Sequence, residues 1–329
     1  MNVLLIGAGA MAVAYAKALR GQGTSFTVVG RGAQSAAAFL AATGVRPVEG
    51  GLSAYLETNV VAADMPVIVA LPVAQLASAT CELIAAGARK LLVEKPGGLD
   101  LAEIAMASAA ARSHKAAVYV AYNRRFYASV AAAREMVAED GGVTSFHMEF
   151  TELADRVATL GRDPKLLANW VLANSSHVVD LAFHLGGEAQ YLSGEIAGAL
   201  PWHPDGAVFA GHGRTVGGAL FTWHANWGSA GRWGLDLRTR KRRLLLQPLE
   251  KLQVQQTGSL ELSDVAIDDR LDREFKPGVI RQLQAFCSAD SVSPLLPRIE
   301  SHLDSVKAWL PCLRARREDT ASRSMRVPV

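Results

Sequence analysis

Short apolar runs alternate with Ala-rich helical stretches over the first 121 residues of this 329-residue chain, and few folds accept that alternation. Strands are expected at 3–6, 26–29, 67–70, 91–94 and 117–121, each almost continuously apolar, as when both faces of a sheet are covered. Helices are expected at 11–20, 33–42, 73–86 and 101–112, with Gly21 and Gly87 as stops for the first and third. Such alternation builds a parallel sheet with crossover helices, so residues 1–122 are read as one doubly wound α/β domain. A piece at 45–48 reads as a further strand, which Pro47 would confine to an edge.

Beyond Tyr122 the period changes to polar–apolar alternation at 144–152, 218–227, 233–238 and 244–256, the mark of half-buried antiparallel strands. Residues 123–329 are therefore expected to form an α+β domain on a large open, mostly antiparallel sheet, with helices returning at 277–290 and 300–310 and an Arg-rich tail that frays. Phe221, Trp223 and Trp227 share one sheet face. An apolar face of that size needs cover from helices or from a second copy of the chain, and a homodimer or homotetramer through this sheet is expected.

Composition removes several classes of function. Half the residues are apolar, 20% are charged, and the net charge of +3 is carried by the last 16 residues, so the body offers no overall field for a polyanion. The block Arg238–Arg243 reads as a solvated hairpin end, and with no nucleic-acid-binding pattern beside it no nucleic-acid partner is expected. Cys81, Cys287 and Cys312 are odd in number and lack metal-ligand spacing, which suits a reducing compartment. The apolar segment 3–16 has no Lys or Arg before Lys17 and contains Gly7 and Gly9, so it is read as strand and helix rather than as a signal peptide, and the cytoplasm is expected. No apolar run reaches the roughly 20 residues that span a bilayer.

Chemistry begins directly after the first strand, at Gly7-Ala8-Gly9-Ala10-Met11-Ala12. The first glycine permits a tight turn, the second lets a pyrophosphate approach the backbone, and the small Ala12 lets the helix lie close to the strand. This reads as a Rossmann dinucleotide turn, with Gly7, Gly9, Ala10 and Met11 against the phosphates at a helix N-terminus and Leu71, Glu94 and Lys95 as further cofactor contacts. The second strand runs into Gly30-Arg31-Gly32 with no acid for the ribose hydroxyls. Arg31 suits the 2′-phosphate instead, so NADP is the expected cofactor, with NAD as the alternative.

Three features in order carry a family resemblance: the glycine turn, Glu94-Lys95-Pro96 after the strand at 91–94, and Ser175-Ser176-His177-Val178-Val179-Asp180-Leu181 in the second domain. Together with Tyr122-Asn123-Arg124-Arg125-Phe126, the sequence resembles the Gfo/Idh/MocA oxidoreductases over most of its length. The resemblance implies a nicotinamide-dependent enzyme acting on a sugar, polyol or related carbohydrate. It matches His177 to the family's catalytic histidine, Asp180 to the acid that follows it, and 122–126 to the junction segment, making Asn123 and Arg124 substrate contacts. One departure stands out: many members carry Asp four residues before that histidine, and here the residue is Ala173.

From the residues themselves, Lys95 at the carboxyl end of a parallel strand can polarise a substrate oxygen, and Pro96 permits a cis bond. His177 can exchange a hydroxyl proton near neutral pH. Asn174, His177, Asp180 and His184 are spaced to share one side of a helix, and Asn174, Asp180 and His184 are expected to touch substrate. Zinc on His177, Asp180 and His184 is the alternative, but no familiar zinc motif accompanies them and no metal is expected. Six of the eight His and five of the six Trp lie between His147 and Trp233, a composition suited to sugars; Trp170 and Pro201-Trp202-His203-Pro204 are candidate lining residues. A cofactor-binding sensor without turnover remains the other class of function.

Overall fold

The computed structural model describes residues 2–288 and 293–314. Its first sheet comprises β1 (Asn2–Ile6), β2 (Ser25–Val29), β3 (Pro66–Val69), β4 (Lys90–Glu94) and β5 (Ala117–Ala121). All are parallel, in the order β2-β1-β3-β4-β5. The strands are apolar because helices cover both faces: Val3, Leu5, Val28, Ile68 and Leu92 pack into one core, and Leu4, Ile6, Val67, Val69 and Val93 into the other. Strand order reverses at β1, so a crevice opens where the carboxyl ends of β1 and β3 part, the place where open α/β sheets bind ligands.

The second sheet has eight strands: β6 (Ser145–Phe150), β7 (Ala189–Ala197), β8 (Val208–Thr215), β9 (Leu220–Asn226), β10 (Trp233–Arg238), β11 (Arg242–Leu246), β12 (Gln253–Gln256) and β13 (Ser263–Asp264). Their order is β13-β12-β11-β10-β6-β9-β8-β7, with β6 and β9 parallel and the other neighbours antiparallel. The fold is therefore an α/β Rossmann domain followed by a large, mostly antiparallel sheet. Among the described residues no helix is long and apolar enough to cross a membrane.

Several local expectations change. The piece at 45–48 makes only a single bridge, Val48 to Val29, and is not a strand. The long segment 244–256 is two strands, β11 and β12, with the turn at Gln247–Pro248 between them. β7 and β8 were hidden in the sequence for a physical reason. Where β8 crosses Trp223 its residue is Gly211, and a Cβ there would lie 2.1 Å from Trp223 Cζ2, so the bulky apolar signal of one strand is moved to its neighbour.

The apolar face of the second sheet is covered by the chain itself. Phe221 stacks on Phe146 at 4.9 Å and meets Phe183 edge-on at 5.3 Å, while Trp227 stacks on Trp202 at 5.5 Å. Phe221, Trp223 and Trp227 are each at most 2% exposed. Of the two covers expected for these residues, helices or a second copy of the chain, the first is present: the helix Ser176–Gly186 and the 200–204 turn fill the space. The chain also crosses back over the boundary near residue 122. The helix Val279–Cys287 buries Val279, Leu283 and Phe286 in the first domain's core, and Val120 N–H donates to Pro297 C=O at 3.0 Å. The tail beyond residue 314, expected to fray, lies outside the described residues.

Candidate functional site

The cofactor cleft is built first by backbone. Gly7 follows β1 at φ +117°, and a Cβ there would stand 2.3 Å from Ala70 C=O, so packing between β1 and β3 forces glycine. Gly9 caps the helix Ala10–Gly21, whose first turn has no side-chain cap and no acid. Its N–H groups therefore remain for a ligand. A Cβ at Gly9 would meet nothing within 4 Å. The protein's own packing does not require glycine there, whereas a phosphate lying against the backbone would.

This cleft encloses about 800 Å³ and is lined by Gly7, Gly9, Ala10, Met11, Arg31 and Leu71, gathering those expected cofactor residues. Arg162, from the loop between the helices Ala154–Ala158 and Pro164–Ala168, lines it from the second domain. Sequence reasoning missed Arg162 because nothing local distinguishes it from a solvated loop residue. Glu94 and Lys95 are not among the lining residues. Glu94 is buried and accepts a 2.6 Å hydrogen bond from Tyr15 O–H, which ties β4 to the first helix.

Lys95 leaves the end of β4 through a cis Lys95–Pro96 bond and donates from Nζ to Ala173 C=O at 2.5 Å. Burial pushes its amine down to about 8, against the opposing charge of Glu94. Ala173 belongs to one π-helical turn, Val171–Ser175, that feeds directly into the helix Ser176–Gly186. Widened turns of this kind are frequent at functional sites. Asn174 therefore lies in the π turn rather than on the α-helix expected to display it with His177. It donates from Nδ2 to both carboxylate oxygens of Glu152, at 3.0 and 2.9 Å, and Ser175 O–H donates to the same carboxylate at 2.7 Å.

Glu152 is the main carboxylate that sequence reasoning left out. It is buried just beyond β6, burial pushes its carboxyl up, and the bonds from Ser175 and Asn174 and the charge of Lys95 oppose that rise. Its position at the end of a long alternating segment gave no chemical signal. Only the tertiary fold brings it to the π turn.

His177 is buried, edge-on to Tyr122 at 5.8 Å and 6.0 Å from the Trp233 ring. Its Nδ1 has no hydrogen-bond partner among the described residues. Burial holds the imidazole well below its usual range, and Arg124, Lys95 and Lys276 all push in the same direction, so the ring is neutral at pH 7. Three residues downstream, Asp180 is engaged elsewhere. Arg125 grips it with Nε–Oδ2 and Nη2–Oδ1 contacts of 2.8 and 2.6 Å, a bidentate pair that pins the 123–126 turn to the histidine helix.

The other candidates are placed as follows. Asn123 donates to Pro277 C=O at 2.9 Å and holds the 275–278 loop. Arg124 lies over Trp233 at 4.8 Å. Trp170 is buried edge-on against Trp202 at 6.1 Å, within the aromatic cluster that covers the second sheet. His184 has a buried Nε2 without a partner among the described residues, and burial, with Arg125 beside it, pushes the ring down to about 4. Among the described residues no three His, Cys, Asp or Glu side chains converge as a metal site would need.

Residues 1–122 match the family model GFO_IDH_MocA, described as an oxidoreductase family with an NAD-binding Rossmann fold. No curated protein matches the sequence. Among solved structures, UDP-N-acetylglucosamine 3-dehydrogenase GnnA from Acidithiobacillus ferrooxidans is similar, at TM-score 0.73 and 16% identity over 95% of this chain and 96% of that one. The WlbA dehydrogenase from Bordetella pertussis, in complex with NADH and UDP-GlcNAcA, aligns at TM-score 0.70 and 15% identity over 95% and 94%. A levoglucosan dehydrogenase in complex with NADH and L-sorbose aligns at TM-score 0.74 and 18% identity over 95% and 96%. At these identities the likeness is one of fold.

Proposed function

We propose, from the match of residues 1–122 to the Gfo/Idh/MocA oxidoreductase family with its NAD-binding Rossmann fold, that the chain moves a hydride between a nicotinamide and a hydroxyl or keto carbon of a sugar, polyol or nucleotide sugar. The observation that carries this reading is the bond from Lys95 Nζ to Ala173 C=O. It sets the amine of the first domain beside the turn that leads into His177. Dehydrogenases of UDP-N-acetylglucosamine and of levoglucosan share the fold, which supports the carbohydrate class.

The residues present fit a dinucleotide. Gly9 leaves a cradle that packing does not demand, and the uncapped helix start offers N–H groups to a diphosphate. Arg31 lines that cleft where no acid follows β2, which favours NADP over NAD. When bound, the nicotinamide supplies the acceptor or donor of the hydride.

The chain's own groups manage the oxygen and its proton. In the oxidative direction the ammonium of Lys95 stabilises negative charge developing on the substrate oxygen. His177, neutral and with an unpartnered ring nitrogen, takes the hydroxyl proton. Glu152 holds Asn174 and Ser175, and through them the π turn that carries the Lys95 contact. In the reductive direction the same groups act in reverse.

Nicotinamide absorbance, followed with NADP or NAD against a panel of sugars, polyols and UDP-sugars, tests the reading. Lys95→Ala is expected to lower turnover ~10²–10³-fold and His177→Ala ~10²–10⁴-fold, both with cofactor affinity nearly intact. Tight cofactor binding with no hydride transfer across the panel would favour the sensor class instead.

A further inference from the structure

Among the described residues Arg124 is a guanidinium without a counter-ion. It follows β5 in the 3-10 turn Asn123–Phe126 and stacks over Trp233 at 4.8 Å, with Tyr127 at 6.0 Å. Its Nε is buried and unpartnered, and among the described residues its side chain makes no hydrogen bond or ion pair. The nearby carboxylates do not neutralise it at contact. Glu94 is held by Tyr15, Glu152 by Asn174 and Ser175, and Glu250 acts on it only through space. Its neighbour Arg125, by contrast, has a bidentate carboxylate.

The same aromatic ring joins this guanidinium to the chemistry, because Trp233 also stands 6.0 Å from the His177 ring. The charges that act on His177 are Arg124, Lys95 and Lys276, all cationic. Lys276, on the exposed loop before the helix Val279–Cys287, also makes no side-chain hydrogen bond or ion pair among the described residues. Leaving a partly desolvated guanidinium unpaired costs free energy that an arriving anion would recover, and the planar fork suits a carboxylate or phosphate.

We propose that the substrate carries an anionic group, a carboxylate or a phosphate, gripped by Arg124 with Lys276 while Lys95 and His177 address the hydroxyl carbon. This rests on the dehydrogenase reading for its geometry, but it can be tested by binding alone.

The experiment is calorimetric titration of the NADP-loaded protein with glucose, glucuronate, glucose 6-phosphate, galactose, galacturonate and inorganic phosphate. At least one acidic sugar is expected to bind about 10- to 100-fold more tightly than its neutral counterpart. The carboxylate and phosphate members distinguish the two sources of charge. Arg124→Gln should erase the preference, Arg124→Lys should restore part of it, and Lys276→Gln should weaken it severalfold. Should Arg124→Gln fail to fold, Lys276→Gln carries the test from an exposed position.

Equal binding of neutral and acidic sugars, or binding of no acidic member, overturns the proposal. So does a loss of NADPH affinity in Arg124→Gln without sugar, which would assign the guanidinium to the cofactor. Inorganic phosphate bound as tightly as glucose 6-phosphate, and lost in Arg31→Ala, would place the anion in the cofactor cleft and also overturn it. Selective acidic-sugar binding without hydride transfer would uphold the anion site while the dehydrogenase reading fails.

Discussion

The cofactor cleft and the Lys95–His177 site lie at the same junction but are made of different material. The cleft is shaped by backbone: Gly7 against Ala70, Gly9 open to a ligand, and the uncapped start of one helix, all from consecutive residues. The second site is shaped by groups from distant segments: Lys95 after β4, Arg125 after β5, Glu152 after β6, and Ala173 to Asp180 across the π turn and the histidine helix. A backbone site tolerates change at residues that pack against nothing. A site of coupled side chains gains its geometry from ion pairs and buried bonds, so altering one member disturbs the others.

The sharpest break in that comparison is Asp180→Ala. It would strip Arg125 of its bidentate partner at a position where the two side chains are only 14% and 11% exposed. Removing one half of such a pair costs about 3–5 kcal/mol, because the remaining charge stays buried. Urea unfolding should show a lower midpoint with an unchanged slope. If stability is untouched, Asp180 is free to serve substrate and the structural role assigned to it is wrong.

The cleft should respond in the opposite sense. Gly9→Ala adds a methyl group that meets nothing within 4 Å at a φ of −87°, so folding stability should hold or rise slightly while cofactor affinity falls. Arg31→Ala should leave stability unchanged and weaken NADP selectively over NAD by ~1.5–3 kcal/mol if a charged hydrogen bond is lost. Fluorescence titrations with both cofactors, beside a thermal melt of each variant, check this. Equal losses for NAD and NADP would remove Arg31 from the discrimination.

The contrast also explains what was legible in the sequence. The glycine turn, the parallel strands and Lys95 could be read because each is local: a turn needs adjacent glycines, a covered strand an apolar run, and a strand-end lysine only its place in the chain. His177 was legible through its neighbours. Glu152 was not, since its partners Asn174 and Ser175 are more than 20 residues away and no period links a strand end to a π turn. Asp180 illustrates the limit from the other side. Helical spacing placed it near His177, but spacing does not reveal that Arg125 from another element takes both of its oxygens. β8 was obscured because Gly211 yields its volume to Trp223 across the sheet, so the apolar pattern exists only when two strands are read together.

The smallest expected effect distinguishes the two titratable groups of the side-chain site. Lys95 is pushed down to about 8 by burial, while His177 is held well below its usual range by burial and by three cations. Between pH 6.5 and 7.5 the imidazole is therefore neutral and the amine still mostly charged. If the ammonium stabilises oxygen charge, turnover should fall as pH rises through about 8, by about tenfold one unit above that midpoint once Lys95 is mostly neutral. His177 adds no limb in this range. Lys95→Arg keeps its charge throughout, so its profile should lose the alkaline limb even if its maximum is lower, because the guanidinium does not reproduce the amine's contact with Ala173. Profiles of kcat for the two proteins, taken at saturating cofactor and substrate, check the assignment. A rate that climbs through pH 8 would instead make the neutral amine of Lys95 the proton acceptor, and His177 would then serve to orient the substrate rather than to take its proton.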